Sequence, residues 1–245
     1  MEKALEVRNL SLCINGQMIL DDLSLDLEKG SFTALCGRNG AGKSQLLRIL
    51  KGLRKPDRGR ILIDGMECSA QERMKRVALV FQNAEMQIVS QSVEKDIAFG
   101  PENMGLDRAE VRRRVEEALS LMGLESKAKQ RPQTLSGGEL RKCAIAGILA
   151  MTPDVILLDE PFANLDYPST LTVIRSLLTL HEKGYTILVV SHEAEKFLAH
   201  TDNLVIMNKG RIREAGKSSE IFRKLPEYDI YMPSNAGFGD LTWLM

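Results

Sequence analysis

An eight-residue stretch, residues 37–44, restricts what this 245-residue chain can fold into more than any other part of the sequence. It reads Gly-Arg-Asn-Gly-Ala-Gly-Lys-Ser and follows the short apolar run of residues 31–36, which predicts a buried strand. Residues 44–50 then carry apolar side chains at helical spacing. A strand that leads through a glycine turn into a helix directs several backbone N–H groups and the positive end of the helix dipole at one point. The stretch therefore predicts a polyphosphate-binding loop.

Each residue type in this loop has an expected role. Gly37, Gly40 and Gly42 let the backbone approach the phosphates, because a Cβ would crowd them or forbid a positive φ. Lys43 is expected to reach the β- and γ-phosphates, and the Ser44 hydroxyl is expected to bind Mg²⁺. The rest of the predicted loop consists of Arg38, Asn39 and Ala41. The alternative is a glycine-rich turn with a solvated lysine, but the flanking strand and helix favour a nucleoside triphosphate site.

The composition disfavours several classes of protein. The 33 Lys and Arg residues equal the 33 Asp and Glu residues in number, so no bulk charge favours nucleic acid or an anionic membrane. The four cysteines form no close pairs, which indicates reduced thiols rather than a disulfide framework or a metal site. The first residues contain no apolar signal region, and the longest apolar runs fall far short of the ~20 residues of a membrane helix. We expect a cytosolic protein.

The order of the apolar patterns predicts an α/β fold. Alternating apolar residues at 5–14 and 23–27 predict an antiparallel β layer ahead of the phosphate loop. Continuous apolar runs, typical of buried parallel strands, occupy residues 77–81, 155–158 and 186–190. A closing hairpin is expected over residues 203–215.

A helical region interrupts this core. Residues 92–124 are predicted to be helical, with Asp107 and Glu110 as an N-terminal cap pair. The apolar stripe of this region consists of Val111, Val115, Leu119 and Met122. We expect a nucleotide-binding core with the β layer at residues 1–82 and 153–222, an inserted helical subdomain at 83–152, and a tail of unassigned structure at 223–245.

Two carboxylates, Asp159 and Glu160, directly follow the predicted strand 155–158. Ligands of α/β sheets bind at the carboxyl ends of strands. Asp159 is expected in the Mg²⁺ shell, and Glu160 is expected to polarise the water that attacks the γ-phosphate. The alternative is that both acids only cap the next helix, but a phosphate loop in the same chain favours the functional interpretation.

Gln82 and His192 also follow predicted strands. Gln82 comes directly after residues 77–81 and is a candidate for contacts with both the metal ion and the water. The alternative is an ordinary amide at a strand end. His192 lies two residues beyond the strand residues 187–190, where a neutral imidazole is able to contact the γ-phosphate. The alternative for a single histidine is a structural or surface role.

A second glycine pair opens the apolar helix expected at residues 143–151. Residues 135–139 read Leu-Ser-Gly-Gly-Glu, and Ser136 with Glu139 has the spacing of a capping box. A well-capped helix is the simpler interpretation, but it leaves Gly137 and Gly138 unexplained. Both glycines expose the amides of a helix N-terminus, so they predict a second anion site.

Together these motifs resemble those of the ATP-binding cassette ATPases, the nucleotide-binding subunits of transporters. The resemblance spans residues 1–222 and matches residues 37–44 to the Walker A loop, Gln82 to the Q-loop, residues 135–139 to the signature motif, residues 155–160 to the Walker B strand, residues 163–166 with Asp166 to the D-loop, and His192 to the switch histidine. It implies ATP and Mg²⁺ as ligands, with Ser44, Gln82 and Asp159 at the metal. It also implies a head-to-tail dimer with a like chain or a paralogue, in which Ser136, Gly137, Gly138 and Glu139 contact the partner's ATP.

Within that family, residues 80–89 and 92–103 are similar to the ATPases of energy-coupling factor transporters, which import vitamins, cobalt or nickel. The chain departs from their usual pattern at Ala84 and Met86, and it has Ile14 near the position of an adenine-stacking aromatic residue. The resemblance implies a peripheral protein at the cytoplasmic face of the membrane, with transporter subunits docking near residues 83–91. The alternatives are a soluble cassette ATPase, the ATPase of a different ABC importer or exporter, and an unrelated phosphate-loop kinase. The motifs do not specify the transported solute.

Overall fold

The computed structural model describes residues 2–244, and its strands form two sheets. The smaller sheet has the strand order β2-β1-β4-β5 and consists of β1 (Lys3–Ile14), β2 (Gln17–Glu28), β4 (Arg58–Ile63) and β5 (Met66–Glu67). The pairs β1/β2, β1/β4 and β4/β5 are antiparallel. Its apolar residues alternate along β1 and β2, and the register places buried leucines opposite one another, as at Leu10 and Leu23. The predicted antiparallel layer is confirmed.

The larger sheet has the strand order β10-β9-β3-β8-β7-β6. Its strands are β3 (Phe32–Cys36), β6 (Val77–Val80), β7 (Val155–Asp159), β8 (Thr186–Val190), β9 (Asn203–Asn208) and β10 (Arg211–Lys217). The pairs β3/β8, β3/β9 and β7/β8 are parallel, and β9/β10 is the predicted closing hairpin. Nearly every residue of β3, β7 and β8 is buried, as expected for strands covered on both faces.

Seven helices accompany the two sheets within the described residues. They are α1 (Lys43–Lys51), α2 (Ala70–Arg76), α3 (Val93–Asn103), α4 (Arg108–Met122), α5 (Gly137–Leu149), α6 (Tyr167–Glu182) and α7 (Ser218–Ile221). Short 3₁₀ turns lie between them, including Ala84–Gln87 after β6 and Phe222–Tyr228 after α7. The predicted α/β class, with a mainly parallel core sheet, an antiparallel layer and added helices, is confirmed.

Contacts divide the chain into two units. Within the described residues, the first unit consists of residues 2–79, 154–160 and 183–244, and it contains both sheets. The second unit consists of Val80–Pro153 and Pro161–Glu182, and it contains α3, α4, α5 and α6. Residues 161–182 therefore group with the helices, whereas the domain limits expected at 82, 152 and 222 stay predictions.

The helical unit is built on buried stripes of apolar side chains. Asp107 caps α4 by accepting hydrogen bonds from the backbone N–H groups of Ala109 and Glu110. The predicted stripe of this helix is buried along its whole length. The predicted helical region 92–124 is divided, because α3 ends at Asn103 and Gly105 adopts a positive φ of 74° before α4 begins.

Residues 241–243 pack against the loop that follows β8. The backbone N–H of Trp243 donates to the carbonyl of Lys196 at 2.9 Å, and the Lys196 ammonium lies 4.6 Å from the centre of the Trp243 ring. His200 Nε2 and Thr242 Oγ1 form a hydrogen bond of 2.6 Å. The tail, whose structure the sequence left unassigned, is thus held near its end by hydrogen bonds to residues 196–200.

Candidate functional site

The phosphate loop lies between the end of β3 and the first residue of α1. Gly42 precedes α1 with a φ of 101°, a conformation that favours glycine. A Cβ at Gly42 would also lie 2.8 Å from Leu20 Cδ2 and 2.9 Å from the carbonyl oxygen of Ile19. Both the backbone angle and the close neighbours therefore require glycine here.

Lys43 is the first residue of α1, and its side chain turns back into the loop. It is 6% exposed, and its Nζ donates to the carbonyl oxygens of Gly37 at 2.6 Å and Arg38 at 3.1 Å. Burial lowers the pKa of the Lys43 ammonium from its ordinary value. The loop thus carries a desolvated positive charge beside the backbone that the sequence predicts to enclose phosphates.

Asp159 is the last residue of β7, and one of its oxygens lacks a partner. Asp159 Oδ1 is buried and accepts no hydrogen bond from residues 2–244. Burial raises the pKa of Asp159, while a hydrogen bond with the Ser44 side chain counteracts the rise. The structure therefore brings the Walker A hydroxyl and the Walker B carboxylate together, as the sequence predicts for a metal site.

Glu160 and His192 form a pair at the carboxyl ends of β7 and β8. Glu160 has a φ of 47°, and its N–H donates to the carbonyl of Val190 at 2.8 Å. Its Oε1 lies 2.9 Å from His192 Nδ1, and its Oε2 accepts the backbone N–H of His192 at 3.4 Å. The Glu160 side chain is 9% exposed and that of His192 is 49% exposed. A nearly buried carboxylate is thus oriented by a histidine that faces solvent.

Gln82 lies two residues after the end of β6, which stops at Val80 rather than at Phe81 as predicted. Its side chain is exposed, but its backbone is held. Arg141 Nη1 donates to the carbonyl of Phe81 at 2.7 Å, and Nη2 donates to the carbonyl of Gln82 at 2.8 Å. Sequence analysis missed Arg141. The feature that indicates it in the sequence is an arginine at the polar end of a helix that is otherwise apolar.

The signature motif forms the N-terminus of α5. Ser136 is the N-cap residue, and its hydroxyl accepts the N–H of Glu139 at 3.3 Å while Glu139 Oε2 accepts the N–H of Ser136 at 2.9 Å. The hydrogen bond from the backbone N–H of Ser136 is the main cause of a lowered pKa at Glu139. The predicted capping box is confirmed, and contact with a second nucleotide stays a prediction.

The paired glycines of the motif have a packing reason of their own. A Cβ at Gly138 would lie 2.9 Å from Ser169 Cβ and 3.0 Å from Ser169 Cα, so α5 and α6 approach too closely for any larger residue. Asp166, the D-loop aspartate, accepts the N–H of Ser169 at 3.0 Å and caps the first turn of α6. Hydrogen bonds from Ser169, first from its side-chain hydroxyl and then from its backbone N–H, lower the pKa of Asp166.

The predicted site residues therefore fall into two groups. The first unit holds the phosphate loop with Lys43 and Ser44, the carboxylates Asp159 and Glu160, and His192. The second unit holds the remaining predicted residues: Gln82, Ser136, Gly137, Gly138, Glu139 and Asp166. A phosphate loop that opens a helix, with two acids at the end of a buried parallel strand, defines a phosphate-loop nucleoside triphosphatase.

Comparisons with known proteins identify the family. The sequence profile of the ABC transporter family matches residues 20–163. The chain is 40% identical over 213 residues to the energy-coupling factor transporter ATP-binding protein EcfA of Methanocaldococcus jannaschii, covering 85% of this chain and 76% of that protein. It is 43% identical over 198 residues to the cobalt import ATP-binding protein CbiO of Syntrophus aciditrophicus, covering 79% and 70%.

A solved structure agrees with these sequence matches. The fold matches cbiO1 of Clostridium perfringens, part of the ABC transporter complex cbiONQ, with a TM-score of 0.85 and 32% identity over 93% of this chain and 96% of that chain. The chain belongs to the ABC transporter family, and it is an ATP-binding subunit and an ATPase of that family. The resemblance drawn from its motifs, including the similarity to energy-coupling factor ATPases, is confirmed.

Proposed function

We propose that this chain binds ATP with Mg²⁺ and hydrolyses it to drive an energy-coupling factor type importer of a vitamin or a transition-metal ion. The observation that supports this most is the grouping of Lys43, Ser44, Asp159, Glu160 and His192 in one unit. The names of the EcfA and CbiO relatives support the import function. Among the described residues no helix has the length and apolarity needed to cross a membrane. The relatives' names imply membrane subunits from other chains, which complete the proposed transporter.

The residues at the end of β7 fit a magnesium ion. Asp159 Oδ1 is a buried carboxylate oxygen without a hydrogen-bond partner among residues 2–244, and the Ser44 hydroxyl bonds to the same side chain. Carboxylate and hydroxyl oxygens beside substrate phosphates are the ligands that Mg²⁺ takes in such sites. We assign these two side chains, with Gln82, to the metal shell. When bound, the ion supplies neutralisation of the developing negative charge on the β- and γ-phosphates.

Glu160 is the proposed base for hydrolysis. Its carboxylate accepts a proton from the water that attacks the γ-phosphate, and the hydrogen bond with His192 Nδ1 fixes the direction in which it points. His192 and Gln82 orient the water and the γ-phosphate, and Lys43 exchanges its loop carbonyls for phosphate oxygens when ATP binds.

A complete site is proposed to need two subunits. In a head-to-tail dimer, Ser136, Gly137, Gly138 and Glu139 contact the nucleotide held by the phosphate loop of the partner, and Asp166 lies at the same interface. The exposed Ser136 hydroxyl at the N-terminus of α5 supports this proposal, because helix N-termini bind anions. The partner is a second copy of this chain or a paralogue.

Ser136→Arg tests the two-subunit site. The variant should bind ATP on its own phosphate loop normally and fail to hydrolyse it, because Ser136 serves the other nucleotide. When it is mixed with Lys43→Ala subunits, each mixed dimer has one site with both lesions and one intact site, so phosphate release should partly return. Normal hydrolysis by Ser136→Arg alone would refute the composite site.

The 3₁₀ turn Ala84–Gln87 and the segment after it are the proposed docking surface for the membrane subunits. Met86 is 81% exposed and Val89 is 63% exposed, whereas Ala84 at the start of the turn is buried. Exposed large apolar residues in a short segment mark an interaction site. The proposed occupant is a helix from a membrane subunit, carried on the cytoplasmic face of the membrane.

The docking proposal is tested by Glu85→Lys combined with Met86→Asp. The double variant should keep its fold and ATP binding but lose co-purification with membrane subunits and lose uptake into vesicles. Met66→Asp is the matched control, because Met66 is 64% exposed on β5, outside the proposed docking segment. Normal assembly and uptake by the double variant would contradict the assignment of the surface.

A further inference from the structure

The backbone at Gln82 is held by an arginine that the proposed mechanism does not use. Arg141 lies in α5, and its side chain is 4% exposed. Its two terminal nitrogens donate to two consecutive carbonyls, those of Phe81 and Gln82. Because β6 ends at Val80, these carbonyls lie beyond the last residue of that strand. Arg141 therefore supplies, from another element, the hydrogen bonds that a longer strand would provide.

Burying the guanidinium of Arg141 has a free-energy cost that a residue with only a packing role would not need. Arg141 Nε is buried and has no hydrogen-bond partner among residues 2–244, and burial lowers the pKa of the guanidinium. No salt bridge offsets that burial within the described residues. Burying a charge without an opposite charge is unfavourable, and an apolar side chain of similar length avoids the cost. What Arg141 adds beyond an apolar residue is a fork of two N–H donors, Nη1 and Nη2, that bind the adjacent carbonyls of Phe81 and Gln82.

The same helix connects this fork to the signature motif. Arg141 lies on α5, five residues after Ser136, the N-cap residue of that helix. A cleft of about 350 Å³ joins the two features, and its lining includes Gln82, Glu85, Gly137 and Asn164. From the other side, Gln87 Oε1 accepts the N–H of Phe81 at 2.8 Å and so ties the turn Ala84–Gln87 to the same backbone.

We infer that Arg141 is a positioning residue, which makes the Gln82 backbone, the signature motif and the turn Ala84–Gln87 move as one body. Gln82 exposes its side chain while its carbonyl is fixed to α5. A contact between the Gln82 side chain and the γ-phosphate is therefore transmitted to Ser136 through a rigid helix instead of being absorbed by a flexible loop. The inference rests on the proposed function, because it assigns a task to the predicted roles of Gln82 and Ser136.

Arg141→Met is the principal test, with Arg73→Met as its matched control. Arg73 is 6% exposed and also donates to two backbone carbonyls, those of Ile49 and Cys68, but it lies in the first unit, on α2. Both variants should melt at lower temperature, because each leaves two backbone carbonyls without their side-chain donors. Only Arg141→Met should lower the kcat for ATP, by roughly 10- to 100-fold with the KM changed less than about twofold, because it displaces groups that act in the reaction and leaves the phosphate loop intact.

Two further measurements separate positioning from general loosening. In a Gln82→Ala background, Arg141→Met should lower kcat no further, because the contact that it transmits is already gone. Hydrogen exchange without nucleotide should be faster over residues 81–91 in Arg141→Met and unchanged there in Arg73→Met. Both are measured on the purified full chain and on the complex that co-purifies with it.

If Arg141→Met does not fold, Arg141→Lys tests the positioning role of Arg141 in its place. A lysine keeps the charge but presents a point donor in place of the fork, so kcat should fall while ATP affinity stays the same. Wild-type kcat in Arg141→Lys, equal kinetics of Arg141→Met and Arg73→Met, or additive effects with Gln82→Ala would each overturn the inference. A wild-type complex without ATPase activity would instead contradict the proposed function.

Discussion

Replacing Glu160 by glutamine tests the proposed base with little disturbance of the fold. Glutamine has the same size, and Glu160 uses both of its oxygens on His192, one with the ring and one with the backbone N–H. The glutamine carbonyl is able to accept the backbone N–H, and its amide is able to donate to Nδ1 if the ring proton resides on Nε2. One orientation thus keeps both hydrogen bonds, so the cost in stability should be about 1 kcal/mol or less.

The expected loss of activity is much larger than this structural cost. A positioned general base contributes ~10²- to 10⁴-fold, and we expect a decrease in kcat of about 10³-fold. That factor corresponds to about 4 kcal/mol of activation free energy. The expected rise in activation free energy, about 4 kcal/mol, is several times the expected loss of stability, about 1 kcal/mol or less. Distortion of the His192 contacts alone therefore does not explain a decrease in kcat of this size.

Phosphate release, ATP binding and thermal melting of Glu160→Gln, measured on the same preparation, separate the two effects. ATP binding should persist, because Lys43 and the phosphate loop are unchanged, and Tm should fall by no more than about 2–4 °C. Adding His192→Ala should lower turnover little further if the two residues act as a unit. Near-normal turnover of Glu160→Gln would refute the assignment of the base.

Three other changes give sharp expectations. Asp159→Asn removes a poorly solvated carboxylate, so the nucleotide-free chain should gain roughly 1 kcal/mol of unfolding free energy, seen as a higher Tm, and lose Mg²⁺-dependent ATP binding. Burial raises the pKa of Asp159 in the folded chain above its value in the unfolded chain, so the wild-type protein loses stability as the pH rises from the unfolded to the folded pKa. A stability gain of Asp159→Asn that persists unchanged at acid pH, where the carboxyl is protonated in both states, would contradict burial of the charge as its cause. Gly138→Ala should lower stability by about 1–3 kcal/mol, whereas Gly147→Ala on the same helix, where a Cβ meets nothing within 4 Å, should not; equal melting curves would exclude the Ser169 contact as the cause. Ile14→Tyr should tighten ATP binding several-fold, by ~1 kcal/mol of base stacking, and identical affinities in a binding titration would show that adenine gains no stacking at this position.

Features that depend on short segments were predictable from the sequence. The phosphate loop, the cap at Ser136 and the hairpin of β9 and β10 each depend on residues within one turn or two adjacent strands. Residues at strand ends, such as Asp159 and His192, were predictable because an apolar run shows where a buried strand stops. Local chemistry was enough to identify both the fold class and the family.

Features that depend on distant pairing were not predictable. The hydrogen bond between Glu160 and His192 joins residues 32 apart in sequence, and it requires β7 beside β8 in the register that pairs Asp159 with Val190. No single segment contains that information.

The buried face of α6 likewise depends on the elements packed against it. Ile174 and Leu177 are buried as periodicity suggests, but Thr170 is also fully buried, while Leu171 stays partly exposed. The periodicity of a helix indicates that one face is buried, but its neighbours decide which residues lie at the edge of that face.

The contact between the tail and the loop after β8 provides a spectroscopic probe. Trp243 is the only tryptophan in the chain, so its emission is not overlaid by that of another indole. Its ring lies 4.6 Å from the Lys196 ammonium, four residues beyond His192, and a cation at that distance alters the energy of the indole excited state. A movement of the loop when nucleotide binds would change this distance and shift the fluorescence of the unlabelled protein. The native chain thereby carries its own optical reporter for the loop that contains His192, readable in a stopped-flow instrument without a dye.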